Sequence, residues 1–299
     1  MIKNISQKLL IGLTLCISSY ANSDYAIVVP PGNPQILAVA KSIIDSDNKG
    51  RGFIVTPAEL SRRSKDAELI LTLGANSTQL VHEDRAYEKT PKIAAFIPRN
   101  TFLHKHNSLY IYNDVNLSLQ LRFISELYSG ANVRVGLFYS HLSSYIDEEI
   151  ENLSKEYSNI DLYVRKVSLG DKPVKLMSSF VQGNKIDAFI IIPDSFLYDP
   201  HSLSVILYQL YQLKVSSITY NSSLVENGIG SLASTYFTKK NVIDEIISQL
   251  EGFRATGTIY AGDVTPSRAK VALNEKMVRY SYLNAAKRLY TGMEFSEYE

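Results

Sequence analysis

Cysteine, tryptophan and long apolar runs are scarce or missing in this sequence. One cysteine, Cys16, and no tryptophan occur among 299 residues, so disulfides and thiolate metal sites cannot hold the fold together. After the first residues, no segment is apolar for long enough to cross a membrane. Basic and acidic residues nearly balance, 31 against 30, which leaves no electrostatic footprint for nucleic acid. The sequence therefore predicts a soluble chain folded around an ordinary apolar core.

Residues 1–23 have the three parts of a secretory signal. Two lysines precede the apolar run 9–17, and small side chains follow at Ala21 and Ser23. The pattern predicts a signal peptide, cleavage before Asp24 and a mature protein in the periplasm. A buried N-terminal helix is the alternative, but nothing in this stretch alternates apolar and polar faces.

Cys16 raises the question of a lipid tether. A lipoprotein signal places a small residue directly before the acylated cysteine, and here that residue is Leu15. A tether at Cys16 is therefore the minor interpretation, and the cysteine is expected to leave with the signal peptide.

Downstream, short β-branched runs alternate with longer amphipathic stretches, which is typical of a parallel sheet with crossover helices. The run 188–192 is apolar on both faces, as a buried parallel strand must be. The sequence thus predicts an α/β fold. The predicted strands are 25–29, 52–56, 69–73, 92–97, 109–112, 133–139, 160–167, 188–192 and 215–219, and the predicted helices are 34–45, 76–83, 117–127, 144–157, 174–182, 202–213 and 239–250.

The pattern restarts at residues 133–139, whose strand opens a second series like the one opened at 24–29. Two similar series predict two lobes with a cleft between them, and ligands of such sheets bind at the carboxyl ends of the strands. A helix is expected from Asn274 onward, packed on one lobe. The predicted lobes are 24–113 plus 236–265, and 114–235 plus 266–299.

Three blocks carry a family resemblance: VRVGLFY at 133–139, DAFIIIPD at 187–194 and SLVENGIGSLAS at 223–234. In this order and spacing, the chain resembles the ABC-transporter substrate-binding proteins of the periplasmic-binding type I fold, which include aromatic amino-acid receptors. Looser matches lie at 69–74 and 90–93. The resemblance implies a two-lobed fold with parallel sheets flanked by helices, an interlobe cleft for a small polar or aromatic molecule, no cofactor, and an inner-membrane permease as partner.

Two departures from the family pattern bear on the ligand. The family usually has Asn-Pro after the strand that ends here at Tyr139, whereas this chain has Ser140 and His141. It also commonly carries an acid shortly after the third block, whereas residues 235–238 contain none. A buried ammonium group needs an anionic partner, so the missing acid argues against a free amino acid as ligand.

In the first series, the candidate ligand residues follow two predicted strands. Gly74 opens a helix in which Asn76 and Ser77 can hold an anion at the positive helix end. The resemblance implies that this loop faces the cleft, and capping of the helix is the alternative role. Arg99 follows another strand, and its planar guanidinium suits a ligand carboxylate. A solvated loop arginine is the alternative.

In the second series, the candidates are Tyr139, Ser140, Asp194 and Asn221, each at or after a strand end. Tyr139 is expected to stack on the ligand while the others fix its orientation. Asp194 and Asn221 have an alternative role as caps of the turns that follow them. The acids 147–149 are interpreted as first-turn charges that favour the dipole of their helix.

Enzymatic signatures are missing from the sequence. It contains no nucleophile elbow, phosphate loop, zinc-protease motif or dinucleotide fingerprint. Residues 45–50 begin like a calcium loop, but Lys49 stands where an oxygen ligand is required. Residues 104–106 hold two histidines without nearby acid or cysteine partners. We therefore expect no metal, no cofactor and no catalytic activity.

Two functions remain open from the sequence. The first is a periplasmic solute-binding protein that closes around a small ligand and delivers it to an ABC-type transporter. The alternative is a ligand-sensing or interaction protein of the same fold that regulates a membrane sensor protein. Hinged closure serves both, because a ligand that prefers the closed form shifts the population that either partner reads.

Overall fold

The structure is a computed structural model that describes residues 23–63, 67–99, 107–128, 131–153, 157–226, 230–267, 269–274 and 277. The predicted signal peptide up to residue 22, Cys16, the histidines at 104 and 106, and the predicted helical tail beyond Met277 lie outside the described residues.

Within the described residues, twelve strands form two six-stranded sheets. The first sheet has the order β2-β1-β3-β4-β5-β11 and the second the order β7-β6-β8-β9-β10-β12. All neighbouring strands pair in parallel except β10 and β12, which pair antiparallel. The strands are β1 Ser23–Val28, β2 Gly52–Val55, β3 Ala67–Leu73, β4 Lys92–Ile97, β5 Ser108–Tyr112, β6 Val133–Tyr139, β7 Ile160–Lys166, β8 Ala188–Ile190, β9 Ser216–Thr219, β10 Ala233–Tyr236, β11 Gly262–Val264 and β12 Lys270–Leu273.

The described helices cover the two sheets and connect their strands. Side-chain caps fix several helix starts, including Asn33 before α1, Asn116 before α4 and a capping box at Thr238 before α9. The helices are α1 Pro34–Ser46, α2 Pro57–Arg63, α3 Ala75–Glu83, α4 Leu117–Leu127, α5 Tyr145–Leu153, α6 Pro173–Asn184, α7 Pro200–Gln212, α8 Ser223–Glu226 and α9 Lys239–Thr256.

The predicted α/β architecture with parallel sheets is confirmed, but the last strands were not predicted from the sequence. Strand β10 consists of Ala, Ser, Thr and Tyr, and its first three residues are buried. Small and hydroxyl side chains do not give the apolar signal of a buried strand, and the antiparallel edge strand β12 follows a connection without a helix. Helix α2 was also not predicted.

Within the described part, the chain passes between the two sheets three times, after β5, after β10 and after β11. Helix α9 follows β10 of the second sheet, yet it packs on α1, β4 and β5 of the first. The predicted lobe boundaries stay a prediction, and the observed crossings lie between β5 and α4, between β10 and α9, and between β11 and β12.

The core of the second sheet shows why one glycine is required inside a central strand. A Cβ built on Gly136 would lie 2.8 Å from Phe189 and 3.0 Å from Phe180. Phe138 meets both rings edge to face, with centroids 5.2 Å and 4.8 Å away. The missing side chain of Gly136 therefore gives this aromatic cluster its space.

Candidate functional site

The candidate site is built at the carboxyl edges of the two sheets, where parallel strands gather their following loops. The ion pair between Arg99, after β4, and Glu149, on α5 after β6, joins these edges. Because each partner follows a strand of a different sheet, the two carboxyl edges face a common region.

On the first sheet, the turn from β3 into α3 is an uncapped helix N-terminus. Gly74 has φ of +81°, a left-handed conformation that favours glycine, and no side chain caps the helix there. Thr78 fixes the turn, since its hydroxyl donates to the Gly74 carbonyl at 2.9 Å. Asn76 is exposed, whereas Ser77 is buried with no hydrogen-bond partner for Oγ among the described residues. The free N–H groups of this turn favour an anion.

Arg99 is positioned by an irregularity at the end of β4. The pairing of β4 with β5 shifts register between Ala95 and Ile97, and Phe96 between them has φ of +56°. A bulky residue in this region is uncommon and marks local strain. This bulge changes the direction of the chain before Pro98 and Arg99. The strand pattern in the sequence did not predict the bulge.

The Arg99 side chain is held by contacts within the protein. Its Nη1 donates to Glu149 Oε1 at 3.0 Å, and its Nη2 donates to the Thr265 hydroxyl at 3.2 Å. Its guanidinium carbon lies 4.8 Å from the ring centroid of Tyr112. The second oxygen of Glu149 accepts from the N–H of Leu117 at 2.9 Å, at the start of α4. One guanidinium therefore joins β4 to α5 and to the crossing after β11.

Asp114 stands in the crossing after β5, beside Arg99. Its Oδ2 accepts from the Arg99 backbone N–H at 2.9 Å, and the residue is 7% exposed. Burial raises the pKa of Asp114 above its ordinary value, although the Arg99 N–H and charge act to lower it. Burial likewise raises the pKa of Glu149, against the lowering effect of Arg99. The structure thus places one buried and one partly buried carboxyl against one cation.

On the second sheet, Asp194 organises two loops at once. Its Oδ2 accepts from the Ser140 N–H at 2.9 Å and from the Ser143 hydroxyl. Its Oδ1 accepts from the N–H groups of Phe196 and Leu197 at 3.1 and 3.2 Å. Asp194 is 2% exposed, and its carboxylate accepts from four donors inside the protein, as a buried polar group requires. Ser140 in turn caps the short turn that follows through its own Oγ.

The side chains of Tyr139 and Asn221 take no part in the hydrogen bonds around Asp194. The Tyr139 hydroxyl donates to Asp147, and its ring lies 5.3 Å from the ammonium of Lys166 on β7. Burial and the Asp147 carboxylate raise the pKa of Tyr139 to about 12. Asn221 is exposed, and its side-chain oxygen accepts from the backbone and hydroxyl of Ser223 at 3.0 Å each. The capping role foreseen as an alternative for Asn221 is therefore present.

The structure brings some of the seven predicted ligand residues together and separates others. Ser140 and Asp194 are in direct contact, and Asn76 and Ser77 share one helix turn. Arg99 is paired with Glu149, which was interpreted from the sequence only as a first-turn charge. Sequence reasoning did not find Asp114, although an acid two positions after a buried strand could have pointed to it.

Neither a metal-binding cluster nor a membrane-spanning helix is found among the described residues. No group of three histidine, cysteine, aspartate or glutamate residues there is arranged to hold a metal ion. No described helix is long and apolar enough to span a membrane.

Comparison with solved structures identifies the fold. A ligand-free, open substrate-binding protein with adhesive properties from Clostridium difficile matches with a TM-score of 0.62 and 14% identity, over 89% of this chain and 95% of that chain. The chain has the periplasmic-binding-protein type I fold. This confirms the fold expected from the three sequence blocks. No family model matches the sequence, and no curated protein matches it.

Two further likenesses span nearly the whole of the compared chains. An ABC domain in complex with L-Trp from Streptococcus pneumoniae matches with a TM-score of 0.52 and 17% identity, over 91% of this chain and 99% of that chain. A complex of XylFII with LytSN matches with a TM-score of 0.56 and 11% identity, over 85% of this chain and 98% of that chain. At these identities the likeness describes the fold of this chain.

Proposed function

We infer that the protein is an exported, non-catalytic receptor that binds a small molecule between the carboxyl edges of its two sheets. In this proposal, Asn76 and Ser77 contact the ligand from the first sheet and Ser140 and Asn221 from the second. Asp194 acts by holding the Ser140 turn in place. Arg99 acts through its pair with Glu149, which sets how the two edges meet.

The observation that carries this proposal is the Arg99–Glu149 pair, because it brings the carboxyl edges of both sheets to one region. The N-terminus of α3 lies on one of these edges, and no described side chain caps its backbone donors. Strand carboxyl ends are where such sheets bind ligands. The similarity to substrate-binding proteins supports the same location.

Delivery of the ligand to an ABC-type transporter is the first candidate role. Regulation of a membrane sensor is the second candidate role, and the similarity to the complex of XylFII with LytSN supports it. Either role needs a ligand that shifts the balance between two arrangements of the lobes. Permease and ATPase genes beside this gene would favour transport, and a sensor kinase gene would favour signalling.

Export rests on the sequence pattern of residues 1–23. Mass spectrometry of the secreted form is expected to find a chain that begins near Asp24. Retention of Met1, or acylation of Cys16, would contradict this part of the proposal.

A thermal-shift screen of amino acids, purines and small carboxylates tests ligand binding. A compound present at about 100 times its Kd raises the free energy of unfolding by about 2.7 kcal/mol, and the resulting rise in Tm is readily measured. Asn76→Ala is expected to reduce this rise. Gln79→Ala is the matched control, because Gln79 lies on the same helix and pairs with the exposed Glu83. Equal responses of both variants would remove Asn76 from the site.

A further inference from the structure

We propose that β7 is an interface through which two copies of this chain pair antiparallel, centred on Tyr163, so that their second sheets join into one sheet. The interface lies along the outer edge of the second sheet. It is separate from the ligand site described above and does not depend on ligand binding. The partner is a second copy of the chain because β7 is complementary to itself in hydrogen bonding and in charge.

Strand β7 is the longest of the four edge strands that the described residues form. It has seven residues, whereas β2 and β12 have four each and β11 has three. Proteins commonly protect a sheet edge by shortening it, by placing proline in it or by a bulge. Residues 160–166 contain no proline, and their pairing with β6 has no shift of register. Strand β7 therefore keeps an edge that another strand can extend.

The backbone groups of β7 point alternately to β6 and away from the sheet. The Val167 N–H donates to the Tyr139 carbonyl at 2.8 Å, and the Asn159 carbonyl accepts from the first N–H of β6 at 2.9 Å. Successive residues of a strand direct their backbone groups to opposite sides, so the odd-numbered residues of β7 bond β6. Leu162 and Val164 therefore direct their N–H and C=O groups outward.

A second β7 that runs antiparallel about Tyr163 completes these outward bonds. Leu162 then lies opposite the second copy's Val164, and the two residues exchange both backbone hydrogen bonds. The two-fold axis passes between the two copies of Tyr163. Because the same strand forms both halves of the interface, the assembly closes as a dimer and leaves no further copy to add at this edge.

The side chains that face each other in this register carry opposite charges. Asp161 lies opposite the second copy's Arg165, at a non-hydrogen-bonded position where side chains come closest, and the axis repeats this pair. Within one strand the two residues are four positions apart, roughly 13 Å. Neither makes an ion pair or a side-chain hydrogen bond among the described residues. Arg134, which lies beside Asp161 on β6, is bonded to Asp187 instead.

The apolar side chains along β7 match in the same register. Ile160, Leu162 and Val164 are half-buried and pack against the core of the second sheet. A groove of about 460 Å³ lies beside the strand, with Leu121 of α4 and Leu153 of α5 in its lining. Pairing with a second copy brings Leu162 against Val164 on both sides of the axis. This removes apolar surface at the margin of the core from water.

Sedimentation velocity of the exported protein, from micromolar to submillimolar concentration, tests the interface. The parent is expected to change from the mass of one chain to twice that mass as its concentration rises. Asp161→Arg and Arg165→Asp each place like charges opposite each other at two positions, so each is expected to raise the dimer Kd by about 10-fold or more. The double variant restores both ion pairs with their signs exchanged and is expected to dimerise again.

Lys240→Glu is the matched control for these charge variants. It makes the same change in net charge as Arg165→Asp, but on α9, where the Lys240 side chain is 82% exposed. It is expected to leave the dimer Kd unchanged.

A cysteine at the axis tests the register independently. Tyr163→Cys places two thiols at a non-hydrogen-bonded pair, whose Cα separation of about 4.5 Å suits a disulfide. Oxidation is therefore expected to link the chains in pairs. Leu169→Cys is the control for linkage by random collision, because Leu169 is 78% exposed and lies beyond the end of β7.

Three results would overturn the proposal. The first is a parent that keeps the mass of one chain at every concentration. The second is a set of charge variants in which the singles dimerise like the parent, or the double dimerises no better than the singles. The third is linkage of Tyr163→Cys no faster than that of Leu169→Cys. If a charge variant shows no cooperative melting, this comparison of the two cysteine variants decides.

Discussion

Arg99 and Glu149 are 50 positions apart in the chain, yet their side chains meet at 3.0 Å between the two sheets. Their side chains are 12% and 17% exposed. A second pair, Lys49 with Glu251, has the same 3.0 Å separation but side chains that are 73% and 50% exposed. The two pairs therefore separate the effect of burial from that of distance.

Arg99→Gln is expected to lower the free energy of unfolding by roughly 3 kcal/mol, because it leaves the partly buried Glu149 and the buried Asp114 without a cation. Lys49→Gln is expected to cost less than about 1 kcal/mol, since an exposed pair is screened by water. Urea denaturation at pH 7 measures both. Equal losses of stability in the two variants would show that the Arg99–Glu149 pair stabilises the fold no more than the exposed Lys49–Glu251 pair does.

Asp47 gives a prediction for the dependence of stability on pH. Burial alone would raise the pKa of Asp47, but hydrogen bonds and charge from Arg254 outweigh it and hold the pKa below its ordinary value. A lowered pKa stabilises the folded state above the unfolded-state value of about 3.9, and this is lost as pH falls through the folded-state value.

Asp47→Asn should therefore reduce stability by about 2 kcal/mol at pH 7, and the difference from the parent should shrink below about pH 4. Denaturant titrations at several pH values measure this. A difference that stays constant down to acid pH would show that the Asp47 charge contributes nothing.

Replacement by alanine is expected to have opposite effects on stability at Gly136 and Gly183. Gly136→Ala forces a methyl group against Phe189 and Phe180, which is expected to cost about 1–3 kcal/mol. Gly183 lies in α6 with no atom within 4 Å of an added Cβ. Gly183→Ala is expected to stabilise by about 0.5–1 kcal/mol, since alanine favours helix. Shifts of the same sign in the urea midpoint would contradict this.

Asn221→Ala is expected to abolish the Tm rise caused by a ligand found in the screen, while the ligand-free protein loses only the cap of α8, about 1 kcal/mol. Tyr139→Ala is a different case, because Tyr139 is 7% exposed and belongs to the core of the second sheet. Its truncation should cost about 3–5 kcal/mol. Asn221 is thus the cleaner probe, and an unchanged ligand response in Asn221→Ala would exclude it from the site.

Several elements could be predicted from the sequence because their patterns are strong. Strands β4 and β6 and helix α4 have the predicted bounds, because mostly apolar strand segments and the 3.6-residue period of α4 give strong local signals. Strands β10 to β12 could not be predicted, because they are only three or four residues long, and β10 and β11 consist largely of polar or small residues. The burial of the first three residues of β10 comes from the neighbouring strands that it acquires in the fold.

The candidate site shows the same division between local and distant information. Ser140 and Asp194 both follow strands of one sheet, so their proximity follows from strand order. The partner of Arg99 does not follow from the sequence, because a loop arginine carries no signal of an acid on the other sheet. The left-handed backbone conformation of Phe96, which helps to position Arg99, has no local signal in the sequence either.

The path of α9 has a consequence for how the newly made chain reaches its final form. Val242, Ile246 and Leu250 of this helix complete the apolar core of the first sheet, and they are synthesised after most of the second sheet. The first half of the chain therefore lacks part of its own interior until residue 250 has emerged, and closure of so long a loop makes folding slow. The first sheet therefore reaches its native packing only after most of the chain has been made.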